Sequence, residues 1–138
     1  MRQFIAYQIT LCATFMLLGL SLSASAQTLS VALEAARTAL QKSSQIVIDI
    51  REPEEHATGV AQGASLIPMS QLGKRLSELP PPGKETFLVI CKTQNRSSHV
   101  VEQLRAAGYT NASYVQGGMS LWATRGWPMV KPATQTQR

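Results

Sequence analysis

The chain has 138 residues, enough for one domain and too few for multidomain machinery. Hydrophobic residues make up 44% and charged residues 15%, which is a globular rather than a disordered composition. The net charge of +5 comes from basic residues standing singly or in pairs such as Lys74-Arg75, so the clustered, aromatic-interleaved positive surface of a nucleic-acid binder is excluded.

The first 26 residues carry a basic start at Arg2, an apolar run from Phe4 to Leu22, and Ala24-Ser25-Ala26 before Gln27. This pattern predicts a secretory signal with an A-x-A cleavage site and a periplasmic, exported domain at residues 27–138. A retained membrane anchor is the competing reading, because the run approaches the length that crosses a bilayer; the small-residue site favours cleavage. No Cys follows the run at a cleavage point, so a lipoprotein reading has no support. The domain that remains has 12 basic and 8 acidic side chains and a single thiol, Cys91, since Cys12 leaves with the signal. A lone thiol in an oxidising compartment is either buried and inert or kept for its reactivity, and its neighbours have to decide.

In chain order, Ser30 to Lys42 has apolar residues near helical spacing behind a Ser that can cap them, and predicts a first helix. Gln45 to Ile50 predicts a fully buried parallel strand, followed by the charged stretch Arg51 to His56. Gly59 to Met69 holds a small strand stopped by Pro68. Ser70, Leu72, Leu76 and Leu79 predict a capped second helix, and Pro80 to Gly83 a turn. Thr86 to Ile90 is the strongest strand signal and runs into Cys91. Ser97 to Ala107 predicts a helix stopped by Gly108; Ala112 to Val115 a last strand; Gly117-Gly118 then precedes a short segment with Leu121 and Trp122. The core spans about 30–130, with a frayed tail from Lys131. Helices alternating with short apolar strands imply an α/β domain with a mostly parallel sheet covered on both faces, and in such sheets ligands sit at the carboxyl ends of strands.

Two strand ends carry reactive groups: Asp49 to Arg51, and Cys91. Cys91 opens the run CKTQNRSSH between a strand and a helix N-terminus, where unpaired backbone N–H groups and the helix dipole favour thiolate over thiol. Lys92 and Arg96 add positive charge, and no Asp or Glu between Glu85 and Glu102 opposes it. A thiol in an electropositive turn is the signature of a nucleophilic cysteine.

Four segments resemble the rhodanese family of sulfurtransferases. Asp49 to His56 resembles its D-x-R-x-x-x-E-x segment and Gly63 to Pro68 its G-A-x-x-I-P. Cys91 to Ser97 is similar to its active-site loop C-x-x-x-x-R-[ST], and Gly117-Gly118 with Trp122 and Gly126-Trp127-Pro128 to its closing G-G-x-x-x-W and G-x-P. The resemblance implies a five-stranded sheet flanked by helices and a persulfide carried between a sulfur donor and a thiophilic acceptor. No cofactor is expected, and one Cys with two His in the exported domain argues against a metal site. By position, Cys91 holds the transferred sulfur, and Lys92, Thr93, Gln94, Asn95, Arg96 and Ser97 form the loop that cradles it. Arg96 also fixes the loop against an acid near Asp49. Gln94 stands where the family commonly has glycine, so a left-handed residue is expected to be strained there. Lys92 occupies a position that is often Arg, which replaces a bidentate grip on the donor by a point charge.

Asp49 and Arg51 read best as a structural ion pair near the site, and Trp122 and Trp127 as packing. His56 and His99 are not at metal-ligand spacing with Cys91, and His99 reads as a surface residue. The expected function is transfer of sulfane sulfur from thiosulfate or a similar donor to cyanide, a small thiol or a protein thiol. The alternative is a sulfur-carrier module serving a protein partner with little turnover of small donors. Phosphatase or arsenate reductase chemistry is disfavoured, because the loops of related fold that hold a tetrahedral phosphate are one residue longer. The size of the domain permits a monomer with no membrane contact after cleavage.

Overall fold

The computed structural model describes residues 28–132, so the expected signal at residues 1–26 and the chain beyond Pro132 lie outside the described residues. Five strands, β1 (Ser30–Val31), β2 (Ile46–Asp49), β3 (Ser65–Leu66), β4 (Phe87–Ile90) and β5 (Ala112–Val115), form one sheet in the order β1-β5-β4-β2-β3, every neighbouring pair parallel. Between them run α1 (Leu33–Lys42), α2 (Pro53–His56), α3 (Met69–Leu72), a 3-10 turn at Leu76–Glu78, α4 (Asn95–Ala106) and, last, α5 (Gly118–Thr124).

Strand β4 is a continuous buried apolar run, and Val47 and Ile48 of β2 are buried on opposite faces, because both faces of the central sheet are covered. Side chains alternate across a strand, so Ile48, Ile50, Phe87, Val89 and Cys91 enter one core with Leu72, Val100, Val101 and Leu104, on the α3 and α4 side. Val47, Leu88 and Ile90 enter the other with Leu33, Ala36, Ala39, Met119 and Trp122, on the α1 and α5 side. The alternation therefore decides which way the thiol points: Cys91 is in phase with Phe87 and Val89 and faces α4. The parallel register sets Asp49 beside Ile90, which brings the carboxyl ends of β2 and β4 to one edge of the domain.

The structure corrects several sequence expectations. Ser30 caps no helix; it lies in β1, paired with Tyr114, and α1 begins only at Leu33 behind Ala32. The expected helix from Ser70 to Leu79 is one turn of α3 and a separate 3-10 turn, with Gly73 at the C-cap of the first. Ser70 does not cap it either: its backbone N–H and hydroxyl both donate to the Glu52 carboxylate. The charged stretch after β2 contains α2, whose first turn is closed by reciprocal Glu52 and Glu55 capping bonds behind Pro53 at its start. Helix α4 starts at Asn95, two residues before Ser97. The segment with Leu121 and Trp122 is α5. Near the end of the described residues Val130 pairs antiparallel with Val60 and Lys131 Nζ donates to the Ala57 carbonyl, so Lys131 is held to the domain; the expected frayed tail beyond Pro132 lies outside the described residues.

Candidate active site

Cys91 follows the last residue of β4 and is 1% exposed, although Lys92 to Asn95 beside it are exposed. Its Sγ lies 3.4 Å from Ser97 Oγ, and the Ser97 hydroxyl donates in turn to the Gln94 carbonyl at 3.1 Å. Ser97 is fully buried on the first turn of α4, so strand, loop and helix meet at the sulfur. Among the described residues, no backbone N–H from Lys92 to Ser97 donates to a protein acceptor; the first such bond is Ser98 N–H to Gln94 O at 2.8 Å. The start of a helix always leaves such donors, and here the preceding loop lengthens the row.

The carbonyls of the loop are occupied instead. Met119 N–H donates to Cys91 O at 2.9 Å and Ser120 N–H to Lys92 O at 2.8 Å, so the first turn of α5 holds the base of the loop by backbone bonds. This approach is possible only because residue 118 is glycine. A Cβ there would sit 2.2 Å from Thr93 O and 2.5 Å from Cys91 O, and the backbone has φ +58°. Gln94 has φ −160°, which any residue adopts, so the strain expected from a non-glycine at this position does not arise. Its side-chain Oε1 accepts from Gly117 N–H at 3.0 Å.

Arg96 grips Glu55 of α2 with two parallel bonds of 2.7 Å. The Arg96 hydrogen bond is the main reason the Glu55 carboxyl falls from its ordinary 4.5 to about 2. Reciprocally, the Glu55 bond holds the guanidinium above its ordinary value, with smaller contributions from the charges of Glu55 and Cys91. The loop's positive charge is therefore opposed, by an acid that lies 41 residues upstream rather than within the loop, and Lys92 is its cation without an ion pair among the described residues.

Asp49 and Arg51 form a buried pair, with Arg51 Nη2 at 2.7 Å and Nε at 3.0 Å from the carboxylate. Burial pushes the Asp49 carboxyl up, and the nearby His56 ring together with the Arg51 hydrogen bonds outweighs it, leaving it below the usual range. Arg51 also donates to the carbonyls of Glu55, at 3.3 Å, and Gly59, at 2.9 Å. The pair thus fixes α2, and α2 fixes Arg96, which places Asp49 and Arg51 behind the site rather than in it. His56 is buried with Nε2 3.4 Å from Asp49 Oδ1, whereas His99 is exposed beside Glu102. Trp122 donates to Pro128 O at 3.1 Å, and Trp127 meets it edge-on at 5.0 Å, on the α1 and α5 side of the sheet.

The acid near Asp49 that the resemblance expected to meet Arg96 is Glu55, the glutamate of the D-x-R-x-x-x-E-x segment. The close seat of Gly118 and the Gln94 side-chain bond had no counterpart in the sequence reading.

Over residues 32–125 the chain matches the family described as Rhodanese-like domain. A protein named sulfurtransferase from Allochromatium vinosum is 35% identical over 88 residues, 63% of this chain and 79% of that one. The thiosulfate sulfurtransferase PspE of Escherichia coli is 31% identical over 70 residues, 51% of this chain and 67% of that one. Other curated relatives are longer, and the match spans 50% of one and 21% of another. Among solved structures, a rhodanese-related protein from Thermoplasma volcanium superposes with a TM-score of 0.66 at 30% identity, covering 76% of this chain and 100% of that one.

Proposed function

The chain belongs to the rhodanese-like family, and from that premise we propose that it is an exported sulfurtransferase that carries sulfane sulfur on Cys91 from thiosulfate, or a similar donor, to cyanide or a thiol. The observation that carries this reading is the row of backbone N–H groups from Lys92 to Ser97 without a protein acceptor, on the loop that runs from the buried Cys91 into the first turn of α4. Such a row stabilises negative charge on a sulfur atom, and it leaves that atom at the positive end of α4.

In the first half-reaction the Cys91 thiolate attacks the outer sulfur of thiosulfate. The S–S bond of the donor breaks, its electron pair leaves with sulfite, and Cys91 keeps the outer sulfur as a persulfide anion. In the second, cyanide or a thiolate attacks that outer sulfur, takes it, and returns the electron pair of the persulfide bond to Cys91. The neutral thiol donates to Ser97; on ionisation the Ser97 hydroxyl can rotate from the Gln94 carbonyl to donate to the sulfur. Lys92 is the cation free to meet the charged end of the donor, while Arg96 orders the loop through Glu55. Export is supported by the basic start, apolar run and A-x-A site of residues 1–26.

A second reading, a sulfur carrier serving a protein partner, is favoured by one feature. A groove of about 490 Å³ lined by Met69, Leu72, Leu76, Val100 and Leu104 adjoins Arg96, and its Met69 and Leu76 are exposed. The two readings separate on one experiment. The protein is incubated with thiosulfate, freed of excess, and weighed for one added sulfur that cyanide removes; its steady-state turnover with the same pair is then measured. An adduct with rapid turnover supports the enzyme reading. An adduct with negligible turnover supports the carrier. No adduct together with Cys91-dependent hydrolysis of an aryl phosphate overturns both.

A further inference from the structure

Gln94 is the one loop side chain that crosses to α5 among the described residues. It stands at the N-cap of α4, yet it makes no capping bond to its own helix and gives its Oε1 to Gly117 N–H, 23 residues away. The loop is therefore held at two places of different kind. Its base is fixed by backbone bonds from Met119 and Ser120 to the Cys91 and Lys92 carbonyls, and by the close seat of Gly118 against Thr93 O. Its apex is fixed to α5 by a single exposed side-chain bond. The same residue governs the sulfur from inside, because the Gln94 carbonyl holds the Ser97 hydroxyl that meets Cys91 Sγ.

We propose that the Gln94 side chain is a specificity-determining strap: it holds the loop apex to Gly117 and so limits the size of the sulfur acceptor that reaches Cys91. With the strap closed, Cys91 is 1% exposed although four of its loop neighbours are exposed, and only small, slender acceptors such as cyanide approach the outer sulfur. With it open, the loop apex at Gln94 moves away from Gly117 while the Cys91, Lys92 and Thr93 carbonyls keep their seat on α5, and bulkier thiols enter. A solvent-exposed hydrogen bond has a small net worth, so its loss changes the open population by roughly fivefold rather than by orders of magnitude. The strap acts on Cys91 through the loop, which makes Gln94 a positioning residue and not a catalytic one.

The proposal rests on Cys91 being the reacting group, and its test does not depend on sulfur transfer. In the full-length protein and its Q94M and Q94E variants, the alkylation rate at Cys91 is measured with iodoacetamide and with a bulky uncharged maleimide, read on the Cys91 peptide by mass spectrometry so that Cys12 does not interfere. Methionine keeps the length and loses the acceptor; glutamate keeps an acceptor oxygen. The expected result is a maleimide-to-iodoacetamide rate ratio about fivefold higher in Q94M and within twofold of wild type in Q94E. An unchanged ratio in Q94M, or an equal rise in both variants, overturns the strap. In turnover, kcat/KM for glutathione relative to cyanide rises in Q94M by the same factor, carried by KM; a uniform loss with both acceptors also overturns it. A wild-type protein that forms no persulfide would instead refute the transfer reading and leave the alkylation ratio to judge the strap.

Discussion

Replacing Glu55 by Gln tests the contact that anchors the loop to the rest of the domain. The fall of the Glu55 carboxyl from 4.5 to about 2 corresponds to roughly 3 kcal/mol at about 1.36 kcal/mol per pH unit. The Arg96 and Glu55 side chains are 30% and 29% exposed, so water screens the pair and about 1–2 kcal/mol is the realistic contribution. A carboxyl whose value is lower in the folded protein stabilises the fold above its unfolded value, here 4.5, and that stability drains away as pH falls toward 2. E55Q is therefore expected to be about 1–2 kcal/mol less stable than wild type at pH 7, with the difference shrinking below pH 4.5 and nearly gone at pH 2. Asp49 is also held below its usual range, but it is present in both proteins and cancels in the difference. Urea denaturation of both proteins between pH 7 and pH 2 provides the measurement. A difference that stays constant across that range, or is absent at pH 7, would refute the argument that a charged Arg96–Glu55 pair holds the loop.

Four further outcomes are expected. Gly118→Ala places a methyl group 2.2 Å from Thr93 O at φ +58°, so sulfur transfer should fall at least about tenfold while the far-ultraviolet dichroism persists, since the clash must displace the loop; full activity would mean that the α5 contact does not shape the loop. Cys91→Ser should take up no sulfur from thiosulfate by intact mass, because a hydroxyl cannot hold sulfane sulfur; an adduct on this variant would move the carrier elsewhere. Lys92→Ala should raise KM for thiosulfate several-fold with kcat little changed, as loss of a point charge that binds the donor predicts; an equal fall in kcat and kcat/KM would place Lys92 in the transition state. Protein recovered from a periplasmic extract should begin at Gln27 by intact mass, and recovery of the uncleaved chain in the membrane fraction would contradict export.

The candidate nucleophile was legible in the sequence because the strand, turn and helix that place it are local. A β-branched and aromatic run reads as a buried strand, its twofold alternation sends residue 91 to the same face as Phe87 and Val89, and the helical spacing that follows puts the thiol at a helix start. Helix–strand alternation likewise determined the parallel sheet, since βαβ crossovers permit little else. Edge pairing was not legible: Ser30 and Val31 look like a helix start until β5, more than 80 residues later, offers them a partner. Nor was the break at Gly73, where leucines at helical spacing pack from two short turns instead of one helix.

The loop's surroundings belong to tertiary structure alone. A charge count along the loop could not find the acid that meets Arg96; the resemblance pointed only to an acid near Asp49, and which one it is depends on α2 being carried to the loop by the parallel register of β2 and β4. Gln94 looked like a strained substitute for glycine because sequence reveals the residue but not its φ; in the fold it is extended, and its side chain binds Gly117. The strand–loop–helix order made Cys91 a candidate nucleophile by itself. How tightly it is enclosed was decided by helices distant in sequence, α5 on one side and α2 on the other, because hydrogen-bond partners across a parallel sheet are chosen by packing and not by nearness along the chain.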